Sequence, residues 1–133
     1  MDLSIIIPCY NSEKYLKNCL NSFCNQIKKY NKIEVIIVDD ASVDETSKIL
    51  KIYNKKFKFI KVFKNKQNLG VSLSRNLAIK KSKGKYILFL DSDDEIINHS
   101  IINLLNFSKK INKDVVVLRN TNIGKKKIID KNQ

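Results

Sequence analysis

The feature that most limits how this chain can fold is an alternation. Short, nearly unbroken apolar runs at residues 3–7, 35–38, 57–63, 86–90 and 115–118 are separated by stretches whose apolar residues fall three and four apart. The runs read as strands buried on both faces, and the spaced stretches as amphipathic helices. The first helix carries Tyr15, Leu16, Cys19, Leu20, Phe23 and Ile27, with Asn11-Ser12 as its expected cap. The second carries Ile49, Leu50 and Tyr53 behind a cap at Ser42 or Asp44. Leu73, Leu77 and Ala78 mark the third, and Ile97, Ile101, Leu104 and Leu105 the fourth. The pattern predicts an α/β fold: a mostly parallel sheet with helices on both faces, in three layers. In such sheets ligands bind outside the carboxyl ends of the strands.

Three strand ends carry polar groups that a plain turn does not need. The first run ends in Pro8-Cys9-Tyr10-Asn11, the second in Asp39-Asp40-Ala41-Ser42-Val43-Asp44-Glu45-Thr46, and the fourth in Asp91-Ser92-Asp93-Asp94. Gathered on one sheet edge, these carboxylates repel one another and lose hydration. A divalent cation relieves both costs, because Mg2+ and Mn2+ prefer hard oxygen ligands. Asp-x-Asp after a buried strand can hold such a metal, with phosphate oxygens completing its shell. Tyr10 can stack on a nucleobase, and Asp40 can accept a base N–H. Taken singly, each piece has a plainer reading. Asp93 or Asp94 could cap the fourth helix, residues 39–46 could be a capped turn with Thr46 solvated, and Tyr10 could belong to the core. Asn68-Leu69-Gly70 could be a simple turn, and Arg75 a surface charge. His99, the single histidine, has no ligand partner at useful spacing.

Composition narrows the class. A chain of 133 residues fits one domain, and 43% hydrophobic residues is an ordinary globular share. The net charge of +13 comes from 26 Lys+Arg against 13 Asp+Glu, but Arg75 and Arg119 are the only arginines. The lysines are spread over every helix and loop, so a solvated surface is expected rather than a nucleic-acid interface. Contact with an acidic membrane surface stays open. Cys9, Cys19 and Cys24 lack metal spacing and read as buried thiols in a reducing compartment. Without a signal-peptide pattern or an apolar run of bilayer length, the expected location is the cytoplasm, with peripheral contact to the inner face of the cytoplasmic membrane left open.

The ordered set of motifs resembles glycosyltransferase family 2, with its Rossmann-like GT-A nucleotide-binding fold. Ser4-Ile5-Ile6-Ile7-Pro8-Cys9-Tyr10-Asn11 is similar to the family's first strand and base-binding loop. Residues 39–46 are similar to its Asp-Asp-x-Ser-x-Asp-x-Thr motif. Asn68-Leu69-Gly70 with Ser74-Arg75-Asn76 resembles its Asn-x-Gly and Ala-Arg-Asn pair, with Ser for Ala. Lys83-Gly84-Lys85-Tyr86-Ile87 leads to Phe89-Leu90-Asp91-Ser92-Asp93-Asp94 as the family approaches its metal triplet.

The resemblance implies a donor domain over residues 1–120 that binds a nucleotide sugar, with a UDP-sugar favoured over the guanosine and thymidine donors also found in the family. Pro8, Tyr10, Asn11, Asp39, Asp40, Asn68, Arg75, Asp91 and Ser92 are the implied nucleotide-sugar contacts, and Asp93 with Asp91 the ligands of Mn2+ or Mg2+. It also implies inverting transfer to a hydroxyl of a glycan, lipid-linked or protein acceptor, within cell-surface polysaccharide synthesis. Family members add an acceptor half that supplies a general base. Asp114 and Asp130 sit in no matching motif, so the base is expected beyond residue 133, with the basic residues 121–133 opening that second half. On this reading the chain alone binds donor, transfers poorly, and exposes a sheet edge that favours self-association. Three rival readings remain: a phosphate-receiver domain, an Asp-x-Asp phosphatase and a basic nucleic-acid module. The first two want their acidic motif after the first strand, where Pro8-Cys9-Tyr10 stands.

Overall fold

A computed structural model describes residues 1–111. The expected strand at 115–118, the acids Asp114 and Asp130 and the basic tail at 121–133 lie outside the described residues. Eight elements alternate: β1 (Leu3–Cys9), α1 (Leu16–Ile27), β2 (Ile33–Asp39), α2 (Thr46–Lys56), β3 (Ile60–Lys64), α3 (Val71–Lys81), β4 (Tyr86–Phe89) and α4 (Ser100–Ile111). The four strands form one sheet in the order β3-β2-β1-β4, with every neighbouring pair parallel. Among the described residues, no helix is long and apolar enough to cross a membrane.

The sequence pattern explains the layers. Alternate residues of a strand face opposite sides, so a strand covered on both sides must be apolar throughout. Ile5 and Ile7 of β1 join a large core with Leu16, Leu20 and Phe23 of α1, Leu50 of α2 and Ile101 of α4. Ile6, between them, joins a smaller core with Ile36, Val38 and Ala78 of α3. Helices therefore cover both faces. α3 turns only Ser74 and Ala78, one helical turn apart, fully inward, and such small side chains let it lie close on the sheet. Among the described residues β4 stands at the edge of the sheet: Tyr86 and Leu88 pack against the large core, while Ile87 and Phe89 are exposed on the α3 side.

Three expectations need correction. β3 starts at Ile60 rather than at 57, because Phe57 still donates its N–H to the Tyr53 carbonyl at the end of α2. Pro8 does not end β1, which runs on to Cys9 in register with Asp39. Neither Asn11 nor Ser12 caps α1 with its side chain; the Ser12 carbonyl accepts the Leu16 N–H at 2.9 Å instead. The three cysteines are buried and unpaired, as expected. Burial pushes the Cys19 and Cys24 thiols up to about 12, so they stay protonated at neutral pH.

At the amino ends of the strands a buried carboxylate locks β4 in place. Glu34 Oε1 accepts the Ser4 hydroxyl at 2.7 Å and the Lys83 N–H at 2.6 Å, and Oε2 accepts Lys61 Nζ at 2.7 Å. Gly84 N–H donates to Ser4 Oγ at 2.8 Å. A Cβ on Gly84 would stand 2.6 Å from Ser4 Oγ and 2.7 Å from the Leu3 carbonyl carbon. Backbone cannot yield as a flexible side chain would, so Gly84→Ala should cost about 1–3 kcal/mol by overpacking. Urea unfolding reads this as a lowered midpoint with unchanged slope. An unchanged midpoint would mean that the entry to β4 can widen.

Candidate nucleotide-sugar site

The carboxyl ends of β1, β2 and β4 and the start of α3 enclose a cavity of about 360 Å³. It is lined by Pro8, Cys9, Tyr10, Asp40, Val71, Ser74, Arg75, Asp91 and Ser92. Pro8, Tyr10, Asp40, Arg75, Asp91 and Ser92 from the sequence reading thus meet on one wall system, at the sheet edge that the parallel topology favours. Tyr10 is half exposed, so it is not a core residue. Asn11, Asp39, Asn68 and Asp93 do not line the cavity.

Each of those four has a definite place. Asp39 is 1% exposed. Its Oδ1 accepts the Ser42 N–H at 2.9 Å, its Oδ2 accepts the Ser47 hydroxyl, and Lys64 Nζ stands 3.4 Å away. Burial raises its pKa, but the Ser42 and Ser47 hydrogen bonds outweigh this and hold it below the ordinary carboxylate value. Asp39 therefore builds the turn rather than facing the cavity. Asn11 clasps the same turn: its N–H donates to Ser42 Oγ at 3.0 Å, and its Oδ1 accepts the Val43 N–H at 3.0 Å. Asn11 and Ala41 both hold positive φ, of 48° and 62°, and this fixes the two loops against each other. Asn68 Oδ1 accepts the Gly70 N–H at 3.1 Å at the entry to α3. Asp93 is exposed, and among the described residues its carboxylate has no hydrogen-bond partner. Thr46 is fully buried, not solvated; its N–H donates to Asp44 Oδ1 at 3.0 Å, while the N-cap position of α2 is held by Glu45 without a side-chain cap, so neither Ser42 nor Asp44 occupies it.

Asp40 is the most constrained acid in the cavity. Its Oδ1 accepts Asn65 Nδ2 at 2.7 Å and the Leu69 N–H at 2.9 Å, and its Oδ2 accepts the Gly70 N–H at 2.8 Å. Burial pushes its pKa up, but the donors at Asn65, Leu69 and Gly70 prevail and the pKa is lowered. A carboxylate offers about four acceptor positions, and the Ser74 hydroxyl beside it also lowers the pKa, so at most one position remains for a ligand. Sequence reasoning missed Asn65, because nothing in its neighbourhood marks it; only the fold brings it to Asp40. Cys9, Val71 and Ser74 were also missed as lining residues, although Cys9 and Ser74 belong to two of the motifs.

Opposite Asp40, Arg75 Nη2 donates to Asp91 Oδ1 at 2.6 Å, and the guanidinium carbon lies 5.6 Å from the Phe89 ring centroid. Arg75 Nε is buried without a hydrogen-bond partner among the described residues, a donor left for an anion or a water. Asp94 carries the strain of the acidic triplet: burial raises its pKa first, and the charges of Asp93 and Asp91 raise it further. Among the described residues no group of three or more His, Cys, Asp or Glu side chains gathers as an all-protein metal cage.

The model of the family described as "Glycosyl transferase family 2" matches residues 4–132. A poly(ribitol-phosphate) beta-glucosyltransferase of Bacillus spizizenii is 42% identical over 118 residues, which is 88% of this chain and 19% of that protein. The poly(ribitol-phosphate) beta-N-acetylglucosaminyltransferase TarS of Staphylococcus aureus is 37% identical over 120 residues, or 90% of this chain and 21% of TarS. The chain thus spans about a fifth of the length of these relatives. The crystal structure of S. aureus TarS 1–349 superposes with a TM-score of 0.82 at 33% identity, covering 96% of this chain and 38% of that one. The same segment in complex with UDP-GlcNAc gives 0.73 at 37% identity, over 82% and 31%. The expected α/β fold of GT-A type is the fold observed.

Proposed function

The chain belongs to glycosyl transferase family 2, and from that premise we propose that it forms the donor site of an inverting glycosyltransferase, taking a UDP-sugar with Mn2+ or Mg2+. The observation that carries this reading is the meeting of Tyr10, Asp40, Arg75, Asp91 and Ser92 around one cavity at the carboxyl edge of a parallel sheet. The solved complexes of TarS with UDP and UDP-GlcNAc support the choice of uridine. Membership removes the receiver and phosphatase readings: the acidic pair follows β2 here, and Asp-x-Asp follows β4.

In this reading the face of Tyr10 receives the base. The remaining acceptor position of Asp40 takes a base N–H, and the preset carboxylate pays no reorganisation cost on binding. Arg75, with its unpartnered Nε, supplies a donor toward ribose or phosphate oxygens. Asp93 and Asp91 would hold the metal. The donor set fits: Mg2+ and its relatives take one or two carboxylates plus substrate phosphates more readily than an all-protein cage, and a cation relieves the repulsion felt at Asp94. When bound, the metal supplies positive charge for the departing diphosphate.

An acceptor hydroxyl oxygen bonds to the anomeric carbon as the bond from that carbon to the diphosphate oxygen breaks. The electron pair leaves on the diphosphate, and the hydroxyl proton passes to a carboxylate base that no described residue is assigned to be. The acceptor we favour is an anionic cell-surface polymer of the polyol-phosphate class, as named for the relatives; the net charge of +13 suits such a partner.

Calorimetry with UDP, GDP and dTDP in the presence of Mn2+ tests the donor reading. UDP should bind about tenfold or more tighter than GDP, because a site that hydrogen-bonds one base edge rejects another; dTDP presents the same base edge and reads out the contribution of the ribose 2′-hydroxyl and the room for a 5-methyl group. A folded chain that binds none of the three would sink the proposal.

A further inference from the structure

Ser12 departs from what its position leads one to expect. A serine just before a helix normally spends its hydroxyl on a free N–H of the first turn. Here α1 has no side-chain cap, and the Ser12 carbonyl alone receives Tyr15 N–H at 3.1 Å and Leu16 N–H at 2.9 Å. The side chain, on a residue only 5% exposed, turns the other way. Its Oγ lies 2.8 Å from Ser92 Oγ, across 80 residues of sequence, and 3.3 Å from the Tyr10 carbonyl oxygen. The carbonyl can only accept, so Ser12 donates to Tyr10 and Ser92 donates to Ser12. Ser12 N–H is itself held by Thr46 Oγ1 at 2.7 Å.

One residue therefore joins three segments: its side chain ties the loop carrying Tyr10 to the acidic triplet, and its N–H holds the start of α2. The rest of the triplet has its own ties: Asp94 N–H donates to the Asp91 carbonyl at 3.1 Å, within the loop itself. Cys19 Sγ stands 3.6 Å from the Asp91 carbonyl, and Arg75 pairs with the partly exposed Asp91 carboxylate. Resting on the donor-site reading above, we propose that Ser12 is a positioning residue that couples the metal-and-phosphate loop at Asp91-Ser92-Asp93 to the nucleobase loop at Tyr10. The base and diphosphate of one nucleotide bridge these loops, so their spacing decides whether both ends are satisfied together. Ser12 fixes that spacing without touching the nucleotide.

Coupling between loops has a signature that stability lacks. It appears in the factor by which Mn2+ improves UDP affinity, not in affinity alone. UDP would be titrated into the 133-residue chain with Mn2+ and again with EDTA, for wild type, Ser12→Ala, Ser92→Ala and the double variant, with a melting curve for each. Losing one hydrogen bond of ordinary net strength should cut the Mn2+ enhancement by about three- to tenfold in Ser12→Ala. Ser92→Ala should reproduce that loss from the other side of the bond and serves if Ser12→Ala folds poorly. The double variant should lose no more than either single one, because both remove the same contact. An unchanged enhancement factor in the folded single variants, whatever their melting temperatures, overturns the coupling role and leaves the donor site standing. A wild-type chain whose UDP affinity ignores Mn2+ overturns the donor-site reading first, and the coupling with it.

Discussion

Asp93→Ala should abolish the gain in UDP affinity that Mn2+ brings while leaving the fold as stable as before. The two halves of this expectation come from the same observation. Asp93 is exposed and has no hydrogen-bond partner among the described residues, so truncation breaks nothing that folding relies on. Its charge instead burdens Asp94, whose pKa is raised by burial and then by Asp93 and Asp91. Removing it should bring the Asp94 pKa back toward its ordinary value, and melting should be unchanged or slightly higher. A metal whose protein ligands are at most two carboxylates loses half of them, and about a hundredfold loss of metal-dependent affinity is expected. Calorimetry with and without EDTA measures it. Mn2+-enhanced UDP binding that survives in Asp93→Ala would remove Asp93 from the site.

Asp40→Asn should be the most destabilising single change in the cavity. Asn65 Nδ2, Leu69 N–H and Gly70 N–H all point at the carboxylate, and the residue is 4% exposed. An amide of the same size accepts through one oxygen and sets its own NH2 against a donor. One buried N–H then goes unsatisfied and the charge-assisted bonds weaken, for a cost of about 2–4 kcal/mol. The pH dependence carries a sign. The folded-state pKa of Asp40 lies below the ordinary aspartate value of 3.8, so the folded state binds fewer protons than the unfolded chain. The stabilisation is present above the unfolded value and is lost as pH falls through the folded one. The wild-type advantage over Asp40→Asn should therefore be full at pH 7 and shrink below about pH 4, because a protonated Asp40 resembles the amide. Urea unfolding at several pH values checks this. A gap independent of pH would place the effect in packing rather than in the charge.

The fold was largely legible from residue spacing, and the reason is physical. Ile5, Ile6 and Ile7 can all be apolar only where both faces of β1 are covered. Leu16, Cys19, Leu20 and Phe23 mark a helix because they return to one side every turn. The site was legible as three strand ends, since a parallel sheet delivers all carboxyl ends to one edge. What could not be read was the division of labour there. Asp39 and Asp40 are adjacent, yet one ties the turn to Ser42 and Ser47 while its neighbour faces the cavity. Successive strand residues point to opposite sides, but which side is the ligand's depends on where the loops close. Asn65 and Ser12 escaped for a related reason. Their partners, Asp40 and Ser92, lie 25 and 80 residues away, and no local pattern encodes such pairings.

The position of β1 has a consequence for how the chain is made. It is the first of the four strands to be synthesised, yet it lies in the interior of the sheet, between β2 and β4. Leu3 pairs with Ile33 on one side and with Tyr86 on the other. At ordinary ribosomal speeds β1 waits on the order of ten seconds for β4, its ladder groups on that side unsatisfied and its isoleucines short of their cover. During that interval the strand is a ready template for the same strand of a neighbouring nascent chain. The native share of the protein made in a cell should then fall as ribosomes crowd on one message, and slower initiation should raise it.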